Sequence, residues 1–244
     1  NGAPLLDEVA LWNRALSADE IAGIYGRSLP FSPIDKREAP TVPVPIMDWS
    51  FDERQGVESL DSINSNQINL AEMLWSRTGY RDGGVRLEVG AGKNLSSVFN
   101  SSFHYSDLTF DFWFQKINPL PSSHGEFSLL SGGQKVFGLS TGSDYTSYQW
   151  EGRDYRLANT LQAVVPNDYD WHYIALTYDS YNYQLSYAVD GVVLYTAFLP
   201  WLNYEMIDGL AMNGFGTTID DFRIWQGSFT ADGLKDLYEG SKIE

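Results

Sequence analysis

The stretch TIDDFRIW, residues 218–225, places a carboxylate where one is costly. Strict strand alternation sets Ile219, Asp221 and Arg223 on one face and Asp220, Phe222 and Ile224 on the other. Asp220 then sits among apolar neighbours, and its charge needs N–H donors or a cation to offset lost hydration. Two partners fit: backbone N–H groups that it caps, or a cation. A second group of candidates is aromatic. In LTFDFWFQ (108–115), Leu108, Phe110, Phe112 and Phe114 face one way, while Trp113 faces the other. There it either stacks on a sugar ring or packs beneath a loop. Trp150, Tyr155, Trp201 and Tyr204 fall in loop-like segments, where an aromatic is well placed for a ligand.

Catalysis finds no such support. A retaining glycosidase needs two carboxylates about 5–5.5 Å apart. A Glu-x-Asp-x-x-Glu strand would deliver them on a jelly roll, and no such run occurs; Asp107, Asp111, Asp220 and Asp221 are spaced otherwise. His104, His124 and His172 are scattered, and His172 follows Trp171 in a strand-like stretch, where it packs or hydrogen-bonds. There is no G-x-S-x-G elbow. GAGK (90–93) lacks the spacing and following helix of a phosphate loop. The tripeptides at 94–96 and 100–102 match glycosylation sequons, which count only in a secretory host. The sequence reads as non-catalytic.

A net charge of −16 argues against nucleic acid and against anionic membrane surfaces, both of which select basic patches. The acidity supplies solubility, or oxygen ligands for calcium. The absence of cysteine excludes disulfide scaffolds, zinc-thiolate sites and thiol nucleophiles. No apolar run reaches the roughly 18 residues of a membrane span, so membrane insertion is not expected. The opening NGAPLLDE carries no basic signal-peptide region, so if the protein is secreted its signal lies upstream or has been removed.

These residues must be positioned by strands. Residues 1–26 read as a strand, PLLDEVALW, then a helix capped by Ser17 with Glu20 and stopped by Gly26. Five of the chain's ten prolines lie in 27–45, which reads as an extended linker. From residue 46 the pattern is strands: IMDWSFDE, LTFDFWFQ, WHYIALTYD, and a hairpin at 184–198 turning on Asp190-Gly191. The last strand is read at 218–225 and a short closing helix at Ser228–Tyr238. The fold class is all-β, an antiparallel β-sandwich with a short C-terminal helix and an N-terminal strand-helix extension.

Residues 7–26 align without gaps on 220–239: Asp7, Trp12, Ala18, Asp19 and Tyr25 fall on Asp220, Trp225, Ala231, Asp232 and Tyr238. A unit recurring 213 residues later suggests two copies of one domain type, the first reduced to its tail. DEVALWNRALSADEIAGIYG resembles the C-terminal signature of laminin-G-like domains in the concanavalin A-like jelly-roll superfamily. IMDWSFDE, SLDSINSNQINL, LTFDFWFQ, DWHYIALTYD, YAVDGVVL and IDDFRIW resemble, in order, the strands and turns of a whole domain of that kind over residues 46–240. The turn Asp61-Ser62-Ile63-Asn64 departs from the family pattern by lacking its glycine.

The resemblance implies a concanavalin A-like jelly roll at 46–244, behind a sister-domain remnant at 1–26. It implies a structural calcium on Asp220 and backbone carbonyls near the first strands, with Asp61 and Asn64 as further candidates for the same ion. It also implies a non-catalytic, extracellular or cell-surface adhesion module of a bacterial tandem-repeat protein, binding glycan or a cell-surface protein and neighbouring repeats. Two other readings stay open. One is a structural stalk or filament subunit whose N-terminal segment docks on a neighbouring domain. The other is a carbohydrate-binding module appended to a glycoside-active enzyme.

Overall fold

The computed structural model describes residues 43–70, 74–88, 95–103, 107–117, 123–142, 146–150, 153–156, 165–166, 168–199 and 206–242. The chain divides into two units, Asn1–Ala39 and Pro40–Glu244, and every described residue belongs to the second. The expected remnant at 1–26, most of the linker at 27–45, and Trp201 and Tyr204 lie outside the described residues.

Fifteen strands are described. They are β1 (Val44–Trp49), β2 (Glu58–Leu60), β3 (Gln67–Asn69), β4 (Leu74–Ser76), β5 (Gly84–Glu88), β6 (Leu95–Phe103), β7 (Leu108–Lys116) and β8 (His124–Ser131). They continue with β9 (Gln134–Thr141), β10 (Thr146–Trp150), β11 (Arg153–Arg156), β12 (Trp171–Asp179), β13 (Gln184–Val189), β14 (Val192–Phe198) and β15 (Ile207–Gln226). One helix, α1 (Ala231–Ser241), follows.

All pairings are antiparallel, and β15 belongs to two sheets. Its first half lies between β6 and β8, and β9, β10 and β11 continue outward from β8. Its second half has β7 on one side, followed by β12, β13 and β14, with β5 and β1 on the other. The register shifts between Phe215 and Thr217, with Gly216 at φ 64°, a value that glycine adopts without Cβ strain. The two sheets face each other across an aromatic core. Phe112 of β7 meets Phe127 of β8 at 4.2 Å, and Phe110 meets Phe137 of β9 at 5.6 Å.

The alternation in β7 holds: Phe110, Phe112 and Phe114 all enter the core. The hairpin turns on Asp190 and Gly191 at φ 50° and 75°, as a two-residue turn of this composition requires. Other boundaries move. The last strand begins at Ile207 rather than 218, because the glycine-containing run 207–217 pairs with β6 and β8 instead of forming a loop. Val44 and Pro45, read as linker, belong to β1, where Pro45 sits beside a register shift that tolerates its missing N–H. The closing helix starts at Ala231 because Thr230 is its N-cap, its side chain accepting from the Gly233 N–H.

Phe112 is fully buried between the sheets and touches Phe110, Phe114, Phe127 and Phe222. Phe112→Ala is expected to cost about 3–5 kcal/mol. Urea unfolding should show a lowered midpoint at an unchanged m-value.

Candidate binding surface

The sequence placed Asp220 beside Phe222 and Ile224; the structure corrects this. Asp220 pairs with Trp113 and Arg223 with Asp111, so two residues, Asp221 and Phe222, stand opposite Phe112 alone. Asp221 takes φ 48° at this β-bulge, and the extra residue reverses the alternation. Ile219, Phe222 and Ile224 therefore enter the core, while Asp220 and Arg223 share the outer face of their sheet. Asp220 is nonetheless fully buried, because residues 79–81 lie over it. Its carboxylate accepts the N–H groups of Arg81 (3.1 Å) and Asp221 (2.9 Å), with the Tyr80 N–H also turned toward it. Burial pushes this carboxyl up to about 7, against the pull of those donors.

Asp61 is buried in the turn between β2 and β3. It accepts from the N–H groups of Ile63 and Asn64 through Oδ1 (2.9 Å each) and of Asn66 through Oδ2 (2.6 Å). The Asn64 amide donates to the Ile46 carbonyl at 2.7 Å. Asp61 and Asn64 thus form one turn, sharing no hydrogen-bond partner with Asp220. This donor set does not fit the expected calcium: the Asp61 and Asp220 oxygens are turned to N–H groups. Among the described residues no cluster of three His, Asp or Glu side chains is placed to hold a metal. Asn100, in the second sequon, donates its amide to the carbonyls of Asn64 (3.3 Å) and Ser65 (3.0 Å) and closes the same turn.

The aromatic candidates separate. Trp113 is 2% exposed, stacked on Tyr80 at 3.5 Å between ring centroids and packed with Tyr173 and Tyr238. Leu234, Leu237 and Tyr238 of α1 close over it together with Phe229. Trp150, read as a loop residue, lies on β10 and is also 2% exposed, edge-on to Phe137 and Tyr178. Among the described residues neither indole N–H has a hydrogen-bond partner, and both rings serve packing. The structure as it stands offers neither to a ligand.

Tyr155, also read as a loop residue, sits on β11 and is 37% exposed. Its ring stacks on Tyr148 of β10 at 5.2 Å and 9°. Tyr148 is buried and in turn meets Tyr195 of β14, from the opposite sheet, at 6.5 Å. Burial pushes the Tyr148 phenol up to about 12, so it stays protonated. The exposed ring thus has a rigid aromatic backing at the rim between the sheets.

The same strands carry polar groups on their outer face. Ser128, Gly138 and Gln149 lie side by side across β8, β9 and β10. The Ser128 hydroxyl donates to Gln149 Oε1 at 2.5 Å, and Gln149 Nε2 donates to Glu126 Oε1 at 2.7 Å. Lys135 pairs with Glu126 and is nearly half exposed. Gly138 leaves room for this strip: a Cβ there would lie 2.8 Å from Gln149 Oε1. Glu126 and Ser128 alternate with Phe127 and Leu129, a period-2 signal that could have marked this face.

Two charged networks escaped the sequence reading. Asp111, fully buried, accepts from Arg223 Nε and Trp225 Nε1 at 2.7 Å each, while Arg223 Nη2 donates to the Tyr173 hydroxyl at 2.8 Å. His172 lies between two carboxylates: Nδ1 is 2.7 Å from Asp190 and Nε2 is 3.0 Å from Asp168. Burial works against the charged imidazole, but the bonds to Asp190 and Asp168 outweigh it and raise the pKa. Nearby, the buried Lys116 amine donates to the carbonyls of Gly142 and Val165, and burial lowers it to about 8.

The architecture is that of an antiparallel β-sandwich, with a helix closing one outer face and an aromatic rim on the other sheet. Solved structures of similar fold are receptor-binding domains of botulinum neurotoxins. One is the serotype G binding domain, with TM-score 0.60, 15% identity, and coverage of 80% of this chain and 51% of that one. Another is a type C structure, titled for cell entry dependent upon interaction with two ganglioside molecules, with TM-score 0.63, 10% identity, and coverage of 82% and 51%. A third is a DC binding domain in complex with rat synaptotagmin II, with TM-score 0.62, 10% identity, and coverage of 80% and 51%. At these identities the likeness is one of fold, and this chain spans about half of each of those domains. No family profile and no curated protein matches the chain. Among the described residues no helix is long and apolar enough to cross a membrane.

Chelator is expected to leave the melting temperature unchanged, because N–H groups already hold Asp220 and Asp61; a drop that added calcium reverses would contradict this. The His172 clasp carries a pH signature. Its folded pKa lies above the ordinary 6.5, so its stabilisation is complete below that value and is lost as pH rises through the raised one. Urea unfolding at stepped pH should show this decline in the wild type and a flattened slope in Asp190→Asn.

Proposed function

We propose that this chain is a non-catalytic binding module of the laminin-G-like type, working outside the cell and recognising glycan through the β10–β11 rim. The observation that carries the reading is Tyr155: an exposed ring held flat against a buried tyrosine. A ring fixed in this way loses little conformational freedom when a sugar stacks on it. The strip formed by Glu126, Ser128, Gln149 and Lys135 lies on the opposite, outer face of the neighbouring strands, with Ser128 and Gln149 buried and bonded to each other, so the reading rests on the ring and not on the strip. The buried carboxylates Asp61 and Asp111 are each committed to the protein's own donors, which suits recognition better than acid–base chemistry. The toxin domains of similar fold are described with ganglioside and with synaptotagmin, which supports a binding role for a chain that spans about half of each of them.

A glycan array probed with wild type and Tyr155→Ala tests the reading. Binding should fall at least about tenfold in the variant, as for an aromatic hot spot, with an unchanged melting temperature. Equal binding by both proteins would remove Tyr155 from the site, and no binding to any glycan would overturn glycan recognition.

A further inference from the structure

The exposed Tyr155 ring shares its side of β11 with a cation. In the pairing of β10 with β11, Tyr155 lies opposite Tyr148 and Arg153 opposite Trp150. Tyr148 and Trp150 point into the core, so Arg153 and Tyr155 lie on the core-facing side of β11. Both are nonetheless exposed. Tyr148, one strand further in, already meets Tyr195 of β14, the last strand of the facing sheet among the described residues. β11 therefore overhangs the edge of that sheet, and its core-facing side looks onto solvent.

Arg153 is not spent within the protein. Arg54, Arg81, Lys135, Arg223 and Lys242 each pair with one of the chain's own carboxylates. Among the described residues no carboxylate pairs with Arg153, although the chain carries 32 acidic residues against 16 basic ones. Residues two apart on one strand face stand about 6–7 Å apart. A pyranose stacked on Tyr155 thus holds a ring substituent within reach of the Arg153 guanidinium, whose planar fork matches a carboxylate. The repulsion from a net charge of −16 is screened beyond about 8 Å at physiological salt, so the contact pair decides the affinity.

We propose that Arg153 makes the rim selective for acidic sugars: Tyr155 stacks on a pyranose ring, and Arg153 pairs with the carboxylate that ring carries. This rests on the reading of Tyr155 as a glycan platform and adds the chemical class of its ligand. The guanidinium supplies the positive charge, so binding needs no metal. Arg153 also stands on an edge strand, where a charge discourages pairing with another chain. That role alone would be met by any charged side chain and would leave sugar preference untouched.

An array of uronic-acid oligosaccharides, each paired with its neutral methyl ester and with a sulfated counterpart, tests this with the full chain in the presence of chelator. The wild type should bind the carboxylate form at least about tenfold more tightly than its ester, as a charge-assisted pair requires. Arg153→Gln should bind both forms alike, at the level of the ester. Arg153→Lys keeps the edge charge without the fork and should show a weakened preference. Tyr155→Ala should lose both forms. Both side chains are exposed, so melting temperatures should be unchanged. A wild type indifferent to esterification, one that prefers the sulfated sugar, or a preference unchanged in either Arg153 variant would overturn the proposal while leaving the Tyr155 platform in place. A wild type that binds no glycan would overturn both.

Discussion

One strand has to satisfy two sheets, and the rest of the molecule is arranged around that requirement. β15 runs 20 residues, longer than any other strand described here. A twisted strand of that length cannot lie flat in a single layer and keep both of its faces packed. It changes layer at Gly216 and changes face again at Asp221, the two positive-φ residues within it. The first irregularity creates the sandwich. The second decides which side chains become core, bringing Phe222 inward and turning Arg223 out toward Asp111.

The outer face of the β7–β12 sheet bears the cost of that second irregularity. It receives Asp111, Asp220 and Arg223, charged groups on a face that α1 and residues 79–81 then cover. Each must therefore be met inside the protein. Asp111 is met by Arg223 and Trp225, while Asp220 is met by backbone N–H groups from a segment remote in sequence. Removing one member of such a pair would leave the other charge buried and alone, which costs more than the pair itself contributes. The network also ties β7, β12 and β15 to one another through Tyr173, so the aromatic packing beneath α1 and the charge pairing depend on the same strands.

Much of this was legible because period-2 alternation is a local property. Phe110, Phe112 and Phe114 declared the core face of β7, and Asp190-Gly191 declared its hairpin. The misreadings share one cause, the dependence of local meaning on a distant partner. Nothing in TIDDFRIW marks Asp221 for a left-handed turn; the bulge is visible only against β7. Glycines at 209, 214 and 216 signal a loop by composition, and only β6 and β8 make that run a strand. Tyr155 was identified as a ligand candidate, but its backing by Tyr148 depends on the pairing of β10 with β11. The same holds for His172, whose two carboxylates come from a turn and a hairpin.

The closing helix makes the sandwich one-sided. Leu234, Leu237 and Tyr238 spend the outer face of one sheet on packing, so that face is closed to a partner. A jelly roll without such a helix could present two opposed surfaces and be decorated from either side. A module on this plan has a front and a back. Whatever lines up several of them also fixes which way their fronts point, so orientation along an assembly becomes a property of the α1 sequence.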